Sequence, residues 1–296
     1  MTGSLLALLS AAAFALNNIF IRRAVLIVSD ASIGTLISVP MGVLVFSLVI
    51  VVSGRLPSLL SFTWQGCFWF SLAGIFDFVV GRTLIYHCIQ LAGANLASIL
   101  RRVDILVAVV IGIIALQETF SWQLASGVAL IMTGIILAGL SPHAIRQSGG
   151  GLARIPARAY MLGFGCGLAW GISPICVKLG LKSWGSPIAG VFVSFLAATL
   201  VLGFSLFDAR RRTMITEMAV NAAGLFFISG LLGCVANLIR YVALNIAPAS
   251  IVSPLCKTSP VFLLFFSFLF NRRLEIFNRA VIIGTLMVVL GTIFIV

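Results

Sequence analysis

Charged residues are scarce in this sequence. Lys, Arg, Asp and Glu together make up 9% of its 296 residues, whereas 61% of the residues are hydrophobic. Soluble globular domains carry about a quarter charged residues, so this composition excludes a water-soluble globule. The mean hydropathy of +1.21 agrees with that exclusion. We therefore expect an all-α integral membrane protein, because helices satisfy their own backbone hydrogen bonds in lipid.

Acidic residues are especially few, with 7 Asp and Glu against 19 Lys and Arg, and the net charge is +12. A basic chain can indicate nucleic-acid binding, but here the positive charges are spread over loops and helix ends. Membrane topology explains that distribution, because Lys and Arg accumulate in loops on one side of a bilayer. We expect the lipid bilayer and a small-molecule solute as partners, and no nucleic acid.

Catalytic and metal-binding patterns are missing as well. The sequence contains no His-Glu-x-x-His and no Gly-x-Ser-x-Gly, and no loop is long enough for a catalytic domain. Its six cysteines all lie in apolar stretches, and none forms a Cys-x-x-Cys pair. We expect no metal site, no cofactor and no enzymatic activity. An intramembrane lipid-modifying enzyme or a lipid flippase on a related helical scaffold stays as the alternative.

Apolar stretches long enough to cross a bilayer are abundant. About 20 apolar residues span the roughly 30 Å of hydrocarbon, and ten such stretches follow one another with short connections. The links between the third and fourth spans, and between the eighth and ninth, are so short that each pair should form a tight helical hairpin. The predicted spans are residues 4–24, 33–53, 66–89, 93–116, 122–141, 159–180, 187–207, 221–244, 247–270 and 278–296.

The two halves of the sequence repeat each other. The segment Gln90–Ser98 recurs as Asn245–Ser253, at an offset of 155 residues. Five spans in each half is an odd number, so the second half enters the membrane upside down relative to the first. Inverted repeats of this kind build many transporters around a site near the bilayer midplane. Other residues paired by the repeat are Arg22 with Lys178, Arg102 with Lys257, Glu118 with Glu275, Gly127 with Gly284, and Gly134 with Gly291.

The repeat also predicts the domain organisation. We expect ten transmembrane helices in two inverted five-helix repeats, joined by a linker rich in glycine and basic residues. The predicted boundaries are 1–141 for the first repeat, 142–158 for the linker and 159–296 for the second repeat.

Motifs in both halves resemble those of the EamA branch of the drug/metabolite transporter superfamily. The resemblance covers almost the whole chain and implies a ten-helix exporter or exchanger of small metabolites with a central cavity. The first half departs from the pattern, with Gly93 and Ile105 where the second half has Pro248 and Pro260. The motifs are AWGISPICVK at Ala169–Lys178, APAS at Ala247–Ser250, SPVF at Ser259–Phe262 and LQETF at Leu116–Phe120.

Two arguments disagree on orientation. The links after spans one, five, seven and nine carry eleven Lys or Arg, whereas the opposite side carries three. That excess places both termini outside the cytoplasm, but the family resemblance implies cytoplasmic termini. We expect an integral protein of the plasma (inner) membrane, and a monomer, because the symmetry is internal to the chain.

Charged residues within the spans are costly, at least about 2.5–3.5 kcal/mol each, and mark solute paths. On a continuous helix Arg101 and Asp104 lie on one face and can pair, whereas Arg102 points away from Asp104. No acid lies within a turn of Lys257. We predict that Arg102 and Lys257 hold a carboxylate or phosphate. The alternatives are that these cations pair with Asp77 and Asp104, or that they reach the membrane interface.

Further polar and aromatic residues at midplane depth are candidates for the cavity wall. Amides in hydrocarbon need hydrogen-bond partners, which a solute or another helix can supply. Core packing is the alternative for the tryptophan, and a place at the membrane interface is the alternative for the tyrosine. The candidates are Asn17, Asn18, Trp170, Asn237, Arg240 and Tyr241.

The predicted function combines the repeat with the buried charges. We expect a secondary transporter, an exporter or exchanger, that moves a small anionic or zwitterionic organic metabolite. Alternating access of the two repeats around a midplane cavity is the expected mechanism. Asp77 and Asp104 are the carboxylates predicted inside the spans, so they are the candidates for carrying a coupled proton or ion.

Overall fold

The chain folds into a bundle of helices, and no strand occurs among the residues that the structure describes. This computed structural model describes residues 1–25, 27–28, 33–54, 57, 61–139, 156–208, 212–213, 215, 220–270 and 279–295. Most of the predicted linker at 142–158, together with Glu275, lies outside them.

The helices follow the predicted apolar stretches closely. A π-helical segment, Ile75–Val80, joins α3 to α4, and a 3₁₀ turn, Ser205–Phe207, follows α8. The helices are α1 (Thr2–Val25), α2 (Ile33–Val52), α3 (Trp64–Gly74), α4 (Gly81–Leu100), α5 (Val103–Leu116), α6 (Trp122–Gly139), α7 (Ala157–Trp184), α8 (Pro187–Phe204), α9 (Val220–Ile246), α10 (Ala249–Cys256), α11 (Ser259–Phe270) and α12 (Arg279–Ile295).

The helices identify a multi-pass integral membrane protein. Among the described residues, six helical stretches are long and apolar enough to cross a bilayer, and two shorter apolar stretches lie in α6 and α12. Large apolar side chains such as Leu44, Met161 and Phe204 are exposed on the outer surface, as expected where lipid tails surround the protein. The number of ten crossings stays a prediction.

The predicted fourth and ninth spans are not continuous helices. Between α4 and α5 the chain turns at Arg101 and Arg102, and between α10 and α11 it turns at Lys257 and Thr258. The amide of Arg102 donates to Ile99 and that of Lys257 donates to Pro254, each at 3.0 Å, so both turns tighten to a three-residue spacing. The repeat therefore interrupts both helices at equivalent positions.

The chain reverses direction between the third and fourth predicted spans. Gly81 lies against the indole of Trp170, and the carbonyl oxygen of Asp104 lies close to Gly171. On one straight helix, Gly81 and Asp104 would be about 35 Å apart, at 1.5 Å per residue. Both instead contact neighbouring residues of α7, so the chain reverses its direction between Gly81 and Asp104.

The two halves are related by an approximate two-fold axis. The helices α6 and α12, which are equivalent in the repeat, pack antiparallel. A Cβ atom at Gly127 would lie 2.8 Å from the carbonyl oxygen of Gly291, and one at Gly134 would lie 2.5 Å from that of Gly284. Since the repeat pairs Gly127 with Gly284 and Gly134 with Gly291, each glycine faces the counterpart of the other, which is the crosswise contact that an inverted repeat produces.

Packing between the halves follows the same symmetry. In the first half α1 packs along α9, and its counterpart α7 packs along α3 and α4. Likewise α1 contacts α10 and α11, whereas α7 contacts α4 and α5. Each of these contacts has its partner when the halves are exchanged, so a cavity on the axis is walled by helices from both repeats.

Candidate functional site

A cavity of about 270 Å³ lies between the halves. Its wall combines residues of α1, α4, α7, α9 and α10 with both helix turns and the π-helical segment. Eight of the ten predicted site residues line it, namely Asn17, Asn18, Asp77, Arg102, Trp170, Asn237, Arg240 and Lys257. Asp104 and Tyr241 do not.

Asp77 and Arg240 form an ion pair across the two halves. Asp77 lies in the π-helical segment Ile75–Val80, and the Nη2 atom of Arg240 donates to its carboxylate. Nη2 also donates to Oδ1 of Asn237 at 2.9 Å, and Nδ2 of Asn237 donates to the carbonyl oxygen of Gly233 at 2.8 Å. Asn237 therefore orients Arg240, and Arg240 is a paired cation.

Lys257 is also paired, which corrects the expectation that it has no acidic partner. Its Nζ atom lies 2.7 Å from a carboxylate oxygen of Asp104, a residue of the other half. Asp104 was expected to pair with Arg101, since on one continuous helix these two residues lie within one turn on the same face. The turn at Arg102 breaks that helix, and the fold brings the partner from the opposite repeat.

Of the two cations that the repeat makes equivalent, Arg102 is the one available to bind a solute. It is 4% exposed, and its Nε atom has no hydrogen-bond partner among the described residues. The ion pairs seen in the described part of the chain join Arg240 to Asp77 and Lys257 to Asp104. The cavity wall therefore carries more positive charge than its acids compensate, since Arg82, Arg101 and Arg102 also line it.

Trp170 forms one wall of the cavity between the two turns. Its Nε1 atom donates to the backbone carbonyl of Asp77 at 2.9 Å, which fixes the ring against the π-helical segment. The guanidinium of Arg101 lies 5.0 Å from the ring centroid, and Nζ of Lys257 lies 5.4 Å from it. Both cations are within cation–π range of this indole. Gly81 makes room for the ring, because a side chain there would collide with it.

Two further residues of the cavity wall carry buried hydrogen-bond acceptors without partners in the described part of the chain. Oδ1 of Asn17 and Oγ of Ser253 are buried, and neither has a hydrogen-bond partner among the described residues. An unsatisfied buried polar atom costs about 1–3 kcal/mol, so such atoms call for a solute or water. The sequence argument missed Ser253, although it is the repeat partner of Ser98.

Tyr241 lies in the core instead of the cavity. It is 1% exposed, its hydroxyl donates to Oγ of Ser194 at 2.8 Å, and its ring stacks on that of Phe70 at 6.2 Å. The guanidinium of Arg240 lies 5.7 Å from its ring centroid, so Tyr241 stays beside Arg240, but it does not line the cavity. Its burial does not fit the alternative of a place at the membrane interface.

A second cavity, of about 380 Å³, adjoins the first. The residues that line both cavities are Asn18, Ile21, Ile85, Arg101, Arg102, Trp170 and Ser259. The remaining wall of the second cavity is mostly apolar and comes from α4, α6, α11 and α12, with residues such as Ile89, Ile135, Leu263 and Val288. The unpaired Arg102 thus stands between a polar cavity and a more apolar one.

Comparisons with known proteins agree with this architecture. A profile described as "EamA-like transporter family" matches residues 1–140 and 157–296, that is, both halves. No curated protein matches the chain. Among solved structures 27 chains match. One, described as "Crystal structure of protein", has a TM-score of 0.77 and 15% identity, covering 99% of this chain and 95% of its own. At that identity the likeness shows the fold alone.

Proposed function

The chain belongs to the EamA-like transporter family, and from that premise we propose that it carries a small organic anion or zwitterion through the central cavity. The family is one of membrane transporters within the drug/metabolite transporter superfamily, so the alternative of a lipid-modifying enzyme or a flippase is not favoured. We further propose that the protein acts as a monomer in the plasma (inner) membrane, as an exporter or exchanger.

The observation that carries the proposal is Arg102 on the cavity wall, a buried guanidinium that makes no ion pair among the described residues. A buried guanidinium without a counter-ion is unfavourable, and an incoming carboxylate or phosphate would satisfy it with two parallel hydrogen bonds. Arg101 adds positive charge beside it. An anionic group is therefore the part of a solute that this site favours most.

The unpartnered acceptors of Asn17 and Ser253 extend the site to zwitterions. An ammonium or hydroxyl group of the solute would donate to Oδ1 of Asn17 or Oγ of Ser253, two residues that line the same cavity as Arg102. The apolar wall of the second cavity would accept the rest of the molecule. The solute class that fits is small, anionic at one end and apolar at the other.

Alternating access follows from the location of the site on the two-fold axis. Helices of both repeats wall the cavity, so that rocking one half against the other would expose it to either side in turn. We propose that Asp77 and Asp104 couple transport to protons. An anion that takes Arg240 or Lys257 from its carboxylate would leave that carboxylate buried and unpaired, which favours its protonation.

The test of the site compares Arg102→Met with Lys182→Met. Lys182 is an exposed cation of α7 that does not line the cavity, so it controls for loss of charge. The purified protein is first screened by thermal shift with amino acids, monocarboxylates, dicarboxylates, sugar phosphates and nucleotides. Ligands that stabilise it are then measured for binding and for uptake into liposomes.

We expect Arg102→Met to weaken binding of the best anion at least tenfold, because charge-assisted hydrogen bonds contribute about 1.5–3 kcal/mol. Lys182→Met should leave binding unchanged. Equal affinities of the wild-type and Arg102→Met proteins for every stabilising ligand would refute an anion site at Arg102.

A further inference from the structure

The break between α9 and α10 is held by charged groups at both of its helix ends. The chain leaves α9 after Ile246 and enters α10 at Ala249, so Ala247 and Pro248 form the break. Pro248 has no amide hydrogen and adopts an extended conformation. The last carbonyl groups of α9 and the first amides of α10 therefore need partners from elsewhere.

Glu118 supplies the partner for the start of α10. Its Oε1 atom accepts from the amide of Ala249 at 2.6 Å, and its Oε2 atom accepts from the amide of Ser250 at 2.8 Å. A carboxylate at a helix N-terminus also interacts favourably with the helix dipole. Glu118 belongs to the first half of the chain, so this contact joins the two halves.

Lys178 supplies the partner for the end of α9. Its Nζ atom donates to the carbonyl oxygens of Leu244 and Ala247, at 2.6 Å each. A cation suits the negative end of the helix dipole. Lys178 and Glu118 thus clamp opposite ends of the same two-residue break.

Local backbone structure brings Glu118 to this place. Gln117 adopts a left-handed conformation with φ of 55°, which ends α5, and the amide of Glu118 donates to Gly112 at 3.3 Å. A Cβ atom at Gly112 would lie 2.8 Å from Oε2 of Glu118. The glycine therefore leaves the space that the carboxylate occupies.

The clamped break lies at one end of the solute path. The N-terminal turn of α1 packs there, with Gly3 against Ala247. The second cavity lies at the other end, because its wall includes Gly134, which is twelve residues, or about 18 Å, along α6 from Trp122, the first residue of that helix and four residues after Glu118. In this conformation the end with the break is packed, and the cavities extend away from it.

We propose that Glu118 and Lys178 are positioning residues that hold the Ala247–Pro248 end of the path closed, and that they release it when the opposite end closes. The proposal rests on transport by alternating access. The repeat pairs Lys178 with Arg22 and Glu118 with Glu275. Removing either Glu118 or Lys178 should therefore favour opening at the Ala247–Pro248 end, and a substitution of the repeat counterpart should favour opening at the opposite end.

The experiment measures access to the cavity from each side of the membrane. In a protein whose six cysteines are replaced, Ser253→Cys places one thiol on the cavity wall. A membrane-impermeant thiol reagent is applied to right-side-out and to inverted vesicles. A second reporter, Gln123→Cys, marks an exposed position at the start of α6 and calibrates the reagent.

We expect Glu118→Gln and Lys178→Met each to raise labelling of the cavity thiol severalfold from the side of the break and to lower it from the opposite side. Glu275→Gln should change both rates the other way. Lys182→Met, one turn from Lys178 on the same helix and exposed, should change neither. If Glu118→Gln does not fold, Gly112→Ala displaces the carboxylate while retaining it, and the same shift is expected.

A clamp that only stabilises the fold would give a different result. Loosening of the fold raises labelling from both sides together, and a static contact leaves both rates unchanged, so either outcome would overturn the proposal. Labelling needs no solute. Failure of the clamp is therefore distinguishable from failure of the anion site, which is measured by ligand binding.

Discussion

The two helix turns at the cavity occupy equivalent places in the repeat, but their charges are arranged differently. At the second-half turn, Lys257 is paired with Asp104 of the other half at 2.7 Å. At the first-half turn, Arg102 is buried and its Nε atom has no partner in the described part of the chain. The second half thus contributes Lys257, whose charge Asp104 compensates, and the first half contributes Arg102, whose charge is available to a solute. The repeat makes the two positions equivalent, but the two residues have different roles.

The backbone of the two turns differs as well. Pro254 and Pro260 flank the second-half turn, and each removes an amide donor that a continuous helix would use. The first-half turn has no proline within the same distance, and Arg101 and Arg102 themselves form it. The second-half turn is therefore fixed by its sequence, whereas the first-half turn depends on the packing of its neighbours.

Breaking the ion pair between Asp104 and Lys257 should have the largest effect on stability. Asp104→Asn leaves Lys257 without a counter-ion and should lower the free energy of unfolding by about 3 kcal/mol, the low end for a buried pair because Lys257 retains some exposure. Thermal unfolding in detergent measures the loss. Asp104→Asn combined with Lys257→Met should recover most of it.

The same double variant examines coupling. If Asp104 carries a proton, the protein with both substitutions should bind solute but should not accumulate it against a gradient in liposomes. Undiminished uphill transport by this variant, and by a variant that also carries Asp77→Asn, would exclude these carboxylates as proton carriers.

Much of the architecture could be predicted from the sequence, because hydropathy and repetition are local properties. Helix positions followed from the apolar stretches, and Arg102 and Lys257 were placed on one cavity because the repeat makes them equivalent. The family followed from motifs in both halves, and its profile match confirms it.

Partners across the halves could not be predicted in the same way. Helical periodicity shows which residues share a face of one helix, but it does not show which neighbour that face meets. Asp104 was therefore assigned to Arg101 instead of Lys257, and Tyr241 was expected on the cavity wall although its hydroxyl donates to Ser194 in the core. Glu118 was noted only as part of a motif and of the repeat, because its partners are backbone amides 131 and 132 residues away.

Displacing Trp170, which forms the cavity wall between the two turns, should have an intermediate effect on stability. Gly81→Ala introduces a methyl group that collides with the indole of Trp170, whose ring lies beside both Arg101 and Lys257. We expect a loss of about 1–3 kcal/mol in stability, the usual cost of overpacking. Quenching and spectral position of the Trp170 fluorescence, in a protein whose other tryptophans are replaced, would report the displacement. Gly203→Ala, where a Cβ atom meets nothing within 4 Å, is the matched control.

Removing the available charge should have the smallest effect on stability, and its sign distinguishes the two turns. Arg102→Met takes away a buried guanidinium that has no acidic partner in the described structure, and the new side chain has similar length. Replacing an unpaired buried charge by an apolar group relieves its desolvation cost, so we expect the free energy of unfolding to rise or to change by less than about 1 kcal/mol.

Lys257→Met, at the equivalent position, leaves Asp104 without its counter-ion and should be destabilising by an amount close to that of Asp104→Asn. Thermal unfolding of the two variants without solute makes the comparison directly. Equal destabilisation by both would show that Arg102 is compensated too, and the assignment of the free anion site to the first-half turn would then fail even if solute affinity fell.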